Sequence, residues 1–239
     1  MQKKNLLIIV PARGGSTGLK NKNILKLGKR HLVYYSLKAG VTIKEKSKTL
    51  ICSTDNNKIK NIVEQMGFDC PFIRPKNISG KFATDITFVN HAINFFYNKK
   101  IAFKFGLILR PTSPFRNKEI LNHAYSIFKK SSYESMRAIT NATQTPFRMW
   151  NKKGNEIRPI LRSKYYEHYN IPRQKLPKVY FQAGNFEFFK IMYKPKIKSV
   201  SGSKIYGYLI NNFLSADIDK LDDLKQVKKL FRENKSFIK

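Results

Sequence analysis

Leu6-Leu7-Ile8-Ile9-Val10-Pro11-Ala12-Arg13-Gly14-Gly15-Ser16-Thr17-Gly18-Leu19-Lys20-Asn21-Lys22-Asn23 is the stretch from which the fold is read. Five branched apolar residues in succession, preceded by Lys3 and Lys4 and followed by a proline and glycines, predict a buried strand with neighbours on both sides. The strand delivers a loop in which Gly14, Gly15 and Gly18 are expected to supply positive φ angles and to bring backbone N–H groups close to a ligand. Arg13, Lys20 and Lys22 add cations to the same turn, the combination of fixed donors and mobile charge that a polyphosphate requires. Neither the P-loop pattern nor the dinucleotide fingerprint G-x-G-x-x-G is met here, and a plain tight turn is the competing reading of these glycines.

Outward from this stretch, a chain of 239 residues suits one sizeable α/β domain and is short for two. A hydrophobic content of 41% with 13% aromatics supports a packed core. No run approaches the roughly 18 apolar residues of a membrane span, and residues 6–10 are too short for the apolar part of a signal peptide, so a cytoplasmic protein is expected. Cys52 and Cys70 lack metal-ligand spacing and are expected to be free, buried thiols. Forty-seven basic against 15 acidic residues give a formal charge of +32. Such a charge invites a nucleic-acid reading. The lysines are spread from end to end, are accompanied by many Asn and Ile, and come with no recognisable DNA- or RNA-binding motif. They are read as solvated surface whose summed field draws anions inward.

Along the chain, amphipathic helices are expected at 31–44, 56–66 and 84–97, with Gly67 closing the second. Strands are expected at 48–53 and 104–109. This alternation predicts a mostly parallel sheet covered by helices on both faces, with ligands at the carboxyl ends of its strands. The strand at 104–109 ends in Arg110-Pro111-Thr112-Ser113-Pro114-Phe115-Arg116, where two prolines fix a loop bearing hydroxyls and cations. A helix at 119–130 and a strand at 136–140 follow. From 143 to 185 prolines, the lone Trp150, a hairpin turn at Lys152-Lys153-Gly154-Asn155 and the Tyr165, Tyr166 and Tyr169 cluster mark an excursion from the sheet, an interface arm or a surface loop. Strand character returns at 179–189, interrupted by Ala183-Gly184, and again at 206–210. Asp217 and Asp219, at i and i+2 on an extended segment, project to one face and can share a hard cation; helix-entry capping is the other reading of the pair. A helix at 221–231 closes the chain.

Pro11-Ala12-Arg13-Gly14-Gly15-Ser16 with Lys22-Asn23, the Pro111-Thr112-Ser113-Pro114-x-Arg116 element, Pro172-Arg173-Gln174-x-Leu176-Pro177 and the late Asp217-Ile218-Asp219 together resemble the acylneuraminate cytidylyltransferases, in that family's order. The resemblance implies a Rossmann-like three-layer fold of the nucleotide-diphospho-sugar transferase type, a single domain over 1–239 with a dimerisation arm inserted at 143–185, and a homodimer. It implies transfer of CMP from CTP to an acidic nine-carbon, sialic-acid-like sugar, with Mg²⁺. On that basis Arg13 and Lys22 hold the triphosphate and stabilise departing pyrophosphate. Ala12, Gly14, Gly15, Ser16, Asn23, Arg74, Ala83 and Asp85 line the nucleotide. Arg110, Thr112, Ser113, Arg116, Arg173 and Gln174 meet the sugar, and Asp217 and Asp219 hold the cation.

Departures bear on the acceptor. The family usually carries Gln where this chain has Arg110, Lys where it has Thr17, and Asn where it has Ala183, and the Gln-Gly-Asp-Glu-Pro element of the CMP-KDO branch is absent. Two rival readings stay open at this point: a nucleotidyltransferase with another nucleotide or sugar, and a non-catalytic RNA-binding protein using the basic surface.

Overall fold

Strand β1 (Gln2–Pro11) sends its apolar residues alternately to the two sides of one sheet. Leu6, Ile8 and Val10 enter one hydrophobic cluster and Leu7 and Ile9 the other, all at 0% exposure. That alternation is the strand's period of two, and it sets the three layers of the molecule. The computed structural model describes residues 1–15, 18–161 and 167–234. After β1 come the short hairpin strands β2 (Lys26–Leu27) and β3 (Arg30–His31), α1 (Leu32–Val41), β4 (Lys48–Ser53) and α2 (Asn57–Gln65). Then follow α3 (Asp85–Asn98), β5 (Ile101–Ile108), α4 (Lys118–Lys130), β6 (Ser135–Asn141) and the hairpin β7 (Trp150–Lys153) and β8 (Glu156–Pro159). The chain ends with β9 (Tyr180–Lys190), β10 (Ile205–Leu209) and α5 (Leu221–Glu233).

The main sheet has six strands in the order β10-β6-β9-β5-β1-β4. β1 runs parallel to β4 and β5, β10 parallel to β6, and β9 antiparallel to both β5 and β6. Helices α1, α2, α4 and α5 cover one face through Leu37, Val63, Phe128 and Val227, while α3 covers the other through Phe88, Val89 and Ile93. Asn56 and Asn117 start α2 and α4 by accepting from the N–H groups of Ile59 and Ile120 at 3.1 and 2.8 Å. Gly67 follows α2 with φ +79°, a left-handed stop.

Three local expectations change. The interruption expected at Ala183-Gly184 is a register shift in an unbroken β9: Arg137 pairs with Glu187 and Ile139 with Gln182, so the strand bulges without ending. The helix expected at 31–44 stops at Val41, where Thr42 turns its hydroxyl onto the carbonyl of Ala39 at 2.7 Å. Residues 180–185, counted in the excursion, lie in β9 and pair with β6 through Tyr180, Phe181 and Gln182. The excursion therefore spans 142–179. Its centre is the β7–β8 hairpin, turned by Gly154 at φ +60°, with Trp150 packed on Tyr169 at 4.5 Å between ring centres. Tyr165 and Tyr166 lie outside the described residues. Both cysteines are free and buried.

Candidate functional site

The three neighbouring parallel strands β4, β1 and β5 end beside one another. Their carboxyl edge opens into a cavity of about 540 Å³, lined among others by Arg13, Lys22, Arg74, Asp85, Arg110, Asp217 and Asp219. The loops converge because each is tied to its neighbour through the backbone. Ala12 N–H donates to Ser53 at 2.9 Å, Arg74 N–H to Thr54 at 2.7 Å, and Ile218 N–H to Thr112 at 3.0 Å. Three segments far apart in sequence are thereby held at one edge, where open α/β sheets place ligands.

The glycine loop works differently from its expected form. Gly14, Gly15 and Gly18 are not left-handed; among the described residues of the loop the positive φ belongs to Asn21, at 56°. Gly14 is needed for close approach: a Cβ there would lie 2.7 Å from Asn56 Nδ2, and its N–H is donated to Asp55 Oδ1 at 2.7 Å. That N–H is spent on a carboxylate and does not face the cavity as a free anion donor. Gly18 is needed for the same reason, because a Cβ would fall 2.3 Å from the carbonyl oxygen of Asp219. The loop and the acidic doublet are thus in direct contact. Ala12 is fully buried at the strand end, Gly15 is open to solvent, and Ser16 and Thr17 lie outside the described residues. Asn23 is buried and donates to Arg13 O at 2.8 Å, which makes it a brace for the loop. Arg13 itself donates to Gly80 O at 3.1 Å.

A second wall is built of paired charges. Arg110 binds both oxygens of Asp85, its Nη1 at 3.1 Å from Oδ1 and its Nη2 on Oδ2, and reaches Glu187 Oε2 at 3.2 Å. Glu187 is 4% exposed and is held from its other side by Arg137 at 2.6 Å, close in charge though off the hydrogen-bond axis. Burial works against the charge of Arg110, but its two carboxylate partners more than offset it and hold its pKa above the ordinary arginine range. Ala83 and Asp85 line the cavity, as does Arg74, whose guanidinium donates to Ser53 O at 2.5 Å and lies over Phe88. Burial lowers the Arg74 pKa, against the pull of Asp55.

Of the residues expected to meet the sugar, the structure brings Arg110 and Thr112 into the cavity and no others. Arg116 spends its guanidinium on Asn185 O at 2.7 Å, Ser36 Oγ at 3.0 Å and Arg110 O at 2.8 Å. Burial lowers its pKa to about 9 against the pull of Asp217, so it stays charged at neutral pH as an internal strut. Ser113 is fully buried behind Asp217. Arg173 and Gln174 line a separate cleft with Asn141, Thr145 and Tyr180.

Asp217 and Asp219 are exposed and Ile218 between them is fully buried, the alternation of an extended segment with both acids on one side. Asp217 Oδ1 accepts from Ser113 Oγ at 2.8 Å and Asp219 Oδ1 from Lys22 Nζ at 2.9 Å. Capping of α5 falls instead to Asp223, which accepts from the N–H groups of Asp219 and Lys220 at 2.8 and 2.7 Å. Five charged residues of the site and its walls escaped the sequence reading: Asp55, Lys81, Arg137, Glu187 and Lys220. Only Glu187 carried a findable signal, a carboxylate inside the otherwise apolar Phe186-Glu187-Phe188-Phe189.

A mostly parallel, doubly covered sheet with a cation-rich cavity and an acidic doublet at its carboxyl edge defines a nucleotidyltransferase fold. Residues 7–237 match the cytidylyltransferase family, and the chain belongs to that family. Pseudaminic acid cytidylyltransferase from Campylobacter jejuni is 29% identical over 233 residues, covering 97% of each chain. CMP-N,N'-diacetyllegionaminic acid synthase from Legionella pneumophila is 29% identical over 162 residues, covering 65% of this chain and 67% of that protein. Among solved structures, CMP:2-keto-3-deoxy-manno-octonic acid synthetase complexed with CTP superposes with a TM-score of 0.68 at 11% identity, over 96% of this chain and 99% of that one.

Proposed function

We propose that this cytidylyltransferase joins CTP to a nonulosonic, sialic-acid-like sugar, giving the CMP-sugar and pyrophosphate. The observation that carries the reading is the single cavity that gathers Arg13, Lys22 and the Asp217–Asp219 doublet, in a chain similar over 97% of its length to a pseudaminic acid cytidylyltransferase. The anomeric hydroxyl oxygen of the sugar attacks the α-phosphorus in line, the bond to the bridging oxygen of the β-phosphate breaks, pyrophosphate leaves, and the hydroxyl proton passes to solvent. Such a transfer depends on positioning and charge neutralisation more than on covalent help. Arg13 and Lys22, joined by Lys81 and Lys220 on the same wall, hold the triphosphate and stabilise the pyrophosphate as it departs. Asp85, fixed by Arg110, offers a carboxylate to substrate hydroxyls.

A divalent cation fits the doublet. The second oxygen of each carboxylate has no donor among the described residues, and no cluster of three or more His, Cys, Asp or Glu side chains able to hold a metal occurs among them. Two carboxylates and no more is the donor set with which Mg²⁺ is commonly held while phosphate oxygens complete its shell. Bound there, Mg²⁺ supplies positive charge to the α-phosphate region. The dimer belongs to the same proposal. The arm and its neighbouring strand edges expose Trp150, Ile157, Ile160, Phe181 and Leu209, an apolar surface that a second copy would cover, and Arg173 and Gln174 lie on this arm. No helix among the described residues is long and apolar enough to cross a membrane, in keeping with a cytoplasmic enzyme.

Pyrophosphate release measured with each of the four nucleoside triphosphates against pseudaminic, legionaminic and N-acetylneuraminic acids and a panel of sugar phosphates tests the reading. Turnover is expected with CTP and at least one of these acids. Turnover confined to a different nucleotide, or to a sugar phosphate, overturns it.

A further inference from the structure

Ser113 carries a hydroxyl that the mechanism above does not use. It is fully buried, does not line the cavity, and donates to Asp217 Oδ1 at 2.8 Å. The contact sits in a deliberate frame. Ile218 N–H donates to Thr112 O at 3.0 Å, tying the Pro111–Pro114 loop to the doublet, and Asn185 Nδ2 donates to Phe115 O at 2.6 Å and Leu214 O at 2.8 Å, clamping the two segments from β9. Gly184 closes the frame. A Cβ at that position would lie 2.6 Å from Ser113 Oγ, while Asp217 Oδ1 and Arg110 Cδ would be at the ordinary distances of 3.6 and 3.7 Å. The absent side chain of Gly184 therefore leaves room for one atom above all, the serine hydroxyl.

We infer that Ser113 is a positioning residue for Asp217 and not a contact of the sugar, and that Gly184 is required because it lets the Ser113 hydroxyl reach that carboxylate. With Oδ1 tied down, the carboxylate keeps one orientation and Oδ2 remains for a cation in the cavity that Asp217 lines. Outer partners of this kind fix ligand carboxylates and typically change metal affinity about 10–100-fold when removed. The inference rests on the reading that Asp217 holds the divalent cation.

The test uses Mn²⁺ as probe, titrated by electron paramagnetic resonance against the full chain with saturating CTP and against CTP alone so that metal held by free nucleotide is subtracted, for the wild type, Asp217→Asn, Ser113→Ala, Gly184→Ala and the Ser113→Ala/Gly184→Ala double variant. The Michaelis constant for the acceptor acid is measured on Ser113→Ala and Gly184→Ala at saturating metal. Mn²⁺ affinity is expected to fall about tenfold in Ser113→Ala and by a similar factor in Gly184→Ala. The double variant should be no worse than either single one, because both remove the same contact. The acceptor constant should stay unchanged. Unaltered Mn²⁺ affinity in Ser113→Ala with a raised acceptor constant overturns the inference and makes Ser113 a sugar contact, while Asp217→Asn still losing Mn²⁺ keeps the wider reading intact. If the wild type binds no Mn²⁺ with CTP, or Asp217→Asn binds it as well as the wild type, the cation reading and the inference fall together. Thermal unfolding checks each variant; should Gly184→Ala not fold, Ser113→Ala, which deletes one atom, decides alone.

Discussion

The charges on the two sides of the cavity are used in opposite ways. On one wall Arg13, Lys22, Lys81 and Lys220 have few partners: Arg13 touches one carbonyl, and Lys22, its own side chain 14% exposed, pairs with an Asp219 side chain that is 72% exposed and open to exchange. On the other wall Asp85, Arg110, Glu187 and Arg137 form an alternating row running from the cavity into the sheet, each carboxylate lying against an arginine. An exposed pair is worth about 0–1 kcal/mol and exchanges readily for a ligand. A buried pair costs much to form and more to break singly. The first wall keeps its charge for substrate, and the second spends its charge on holding Asp85 and the strand ends in place.

Breaking the paired wall should give the largest effect. Glu187→Ala leaves Arg137 and Arg110 facing a vacated, buried position, and stability should fall by about 4 kcal/mol. For a chain of this size that corresponds to a drop on the order of 10 °C in melting temperature. Calorimetry showing a change of only a degree or two would mean that solvent reaches Glu187 and that the row is not a structural element. Lys22→Met breaks the open wall and should do the converse. Turnover with CTP should fall about a hundredfold through lost charge stabilisation, while the melting temperature stays within a few degrees because the Lys22–Asp219 pair contributes little. Activity retained within a factor of two would remove Lys22 from the phosphate site.

This division between walls was only half legible in the sequence. The run 6–10 and the alternation of helical and strand periods sufficed for a mostly parallel sheet, since burial on both faces needs unbroken apolar residues and helical cover needs a 3.6-residue period. β9 was harder. A three-residue register shift reads like a break, and strand direction depends on how the 142–179 excursion returns, which no local pattern encodes. The three segments that meet at the cavity were identifiable from Arg13, Arg110 and Asp217, but sequence cannot tell a cation that faces a ligand from one turned inward. Arg110 and Arg116 stand six positions apart in one loop, and only packing makes the first a cavity residue paired with carboxylates and the second a strut on carbonyls. The glycines illustrate the same limit. Their presence was plain, yet Gly14 and Gly18 are explained by what lies against them, Asn56 and the backbone of Asp219, and not by their own torsions.

A smaller effect should come from the net charge of +32, which acts on both walls at long range. Raising ionic strength from about 50 to about 200 mM shortens the screening length and should lower kcat/KM for the nucleotide several-fold while leaving kcat nearly constant, since steering affects encounter and not the bound complex. A kcat/KM independent of salt would confine the electrostatics to direct contacts.

The smallest expected effect is a pH dependence felt behind the cavity. His91 on α3 packs edge-on against Phe72 at 4.5 Å between ring centres, and its Nδ1 is buried without a partner. Burial lowers its pKa below 6.5, and the positive charge of Arg74, which lines the cavity, lowers it further. A histidine whose pKa is lower in the folded state takes up its proton first in the unfolded chain. Between the two values the unfolded state therefore binds more protons, and stability falls as pH drops through 6.5. Comparing melting temperatures between pH 7.5 and 5.5, the wild type should lose more than His91→Gln, by a modest margin because the ring is partly open to solvent. Replacing Arg74 with Met should narrow that margin, because the guanidinium contributes to keeping His91 neutral. Equal slopes for wild type and His91→Gln would show that water reaches the ring and that neither burial nor the Arg74 charge holds it neutral.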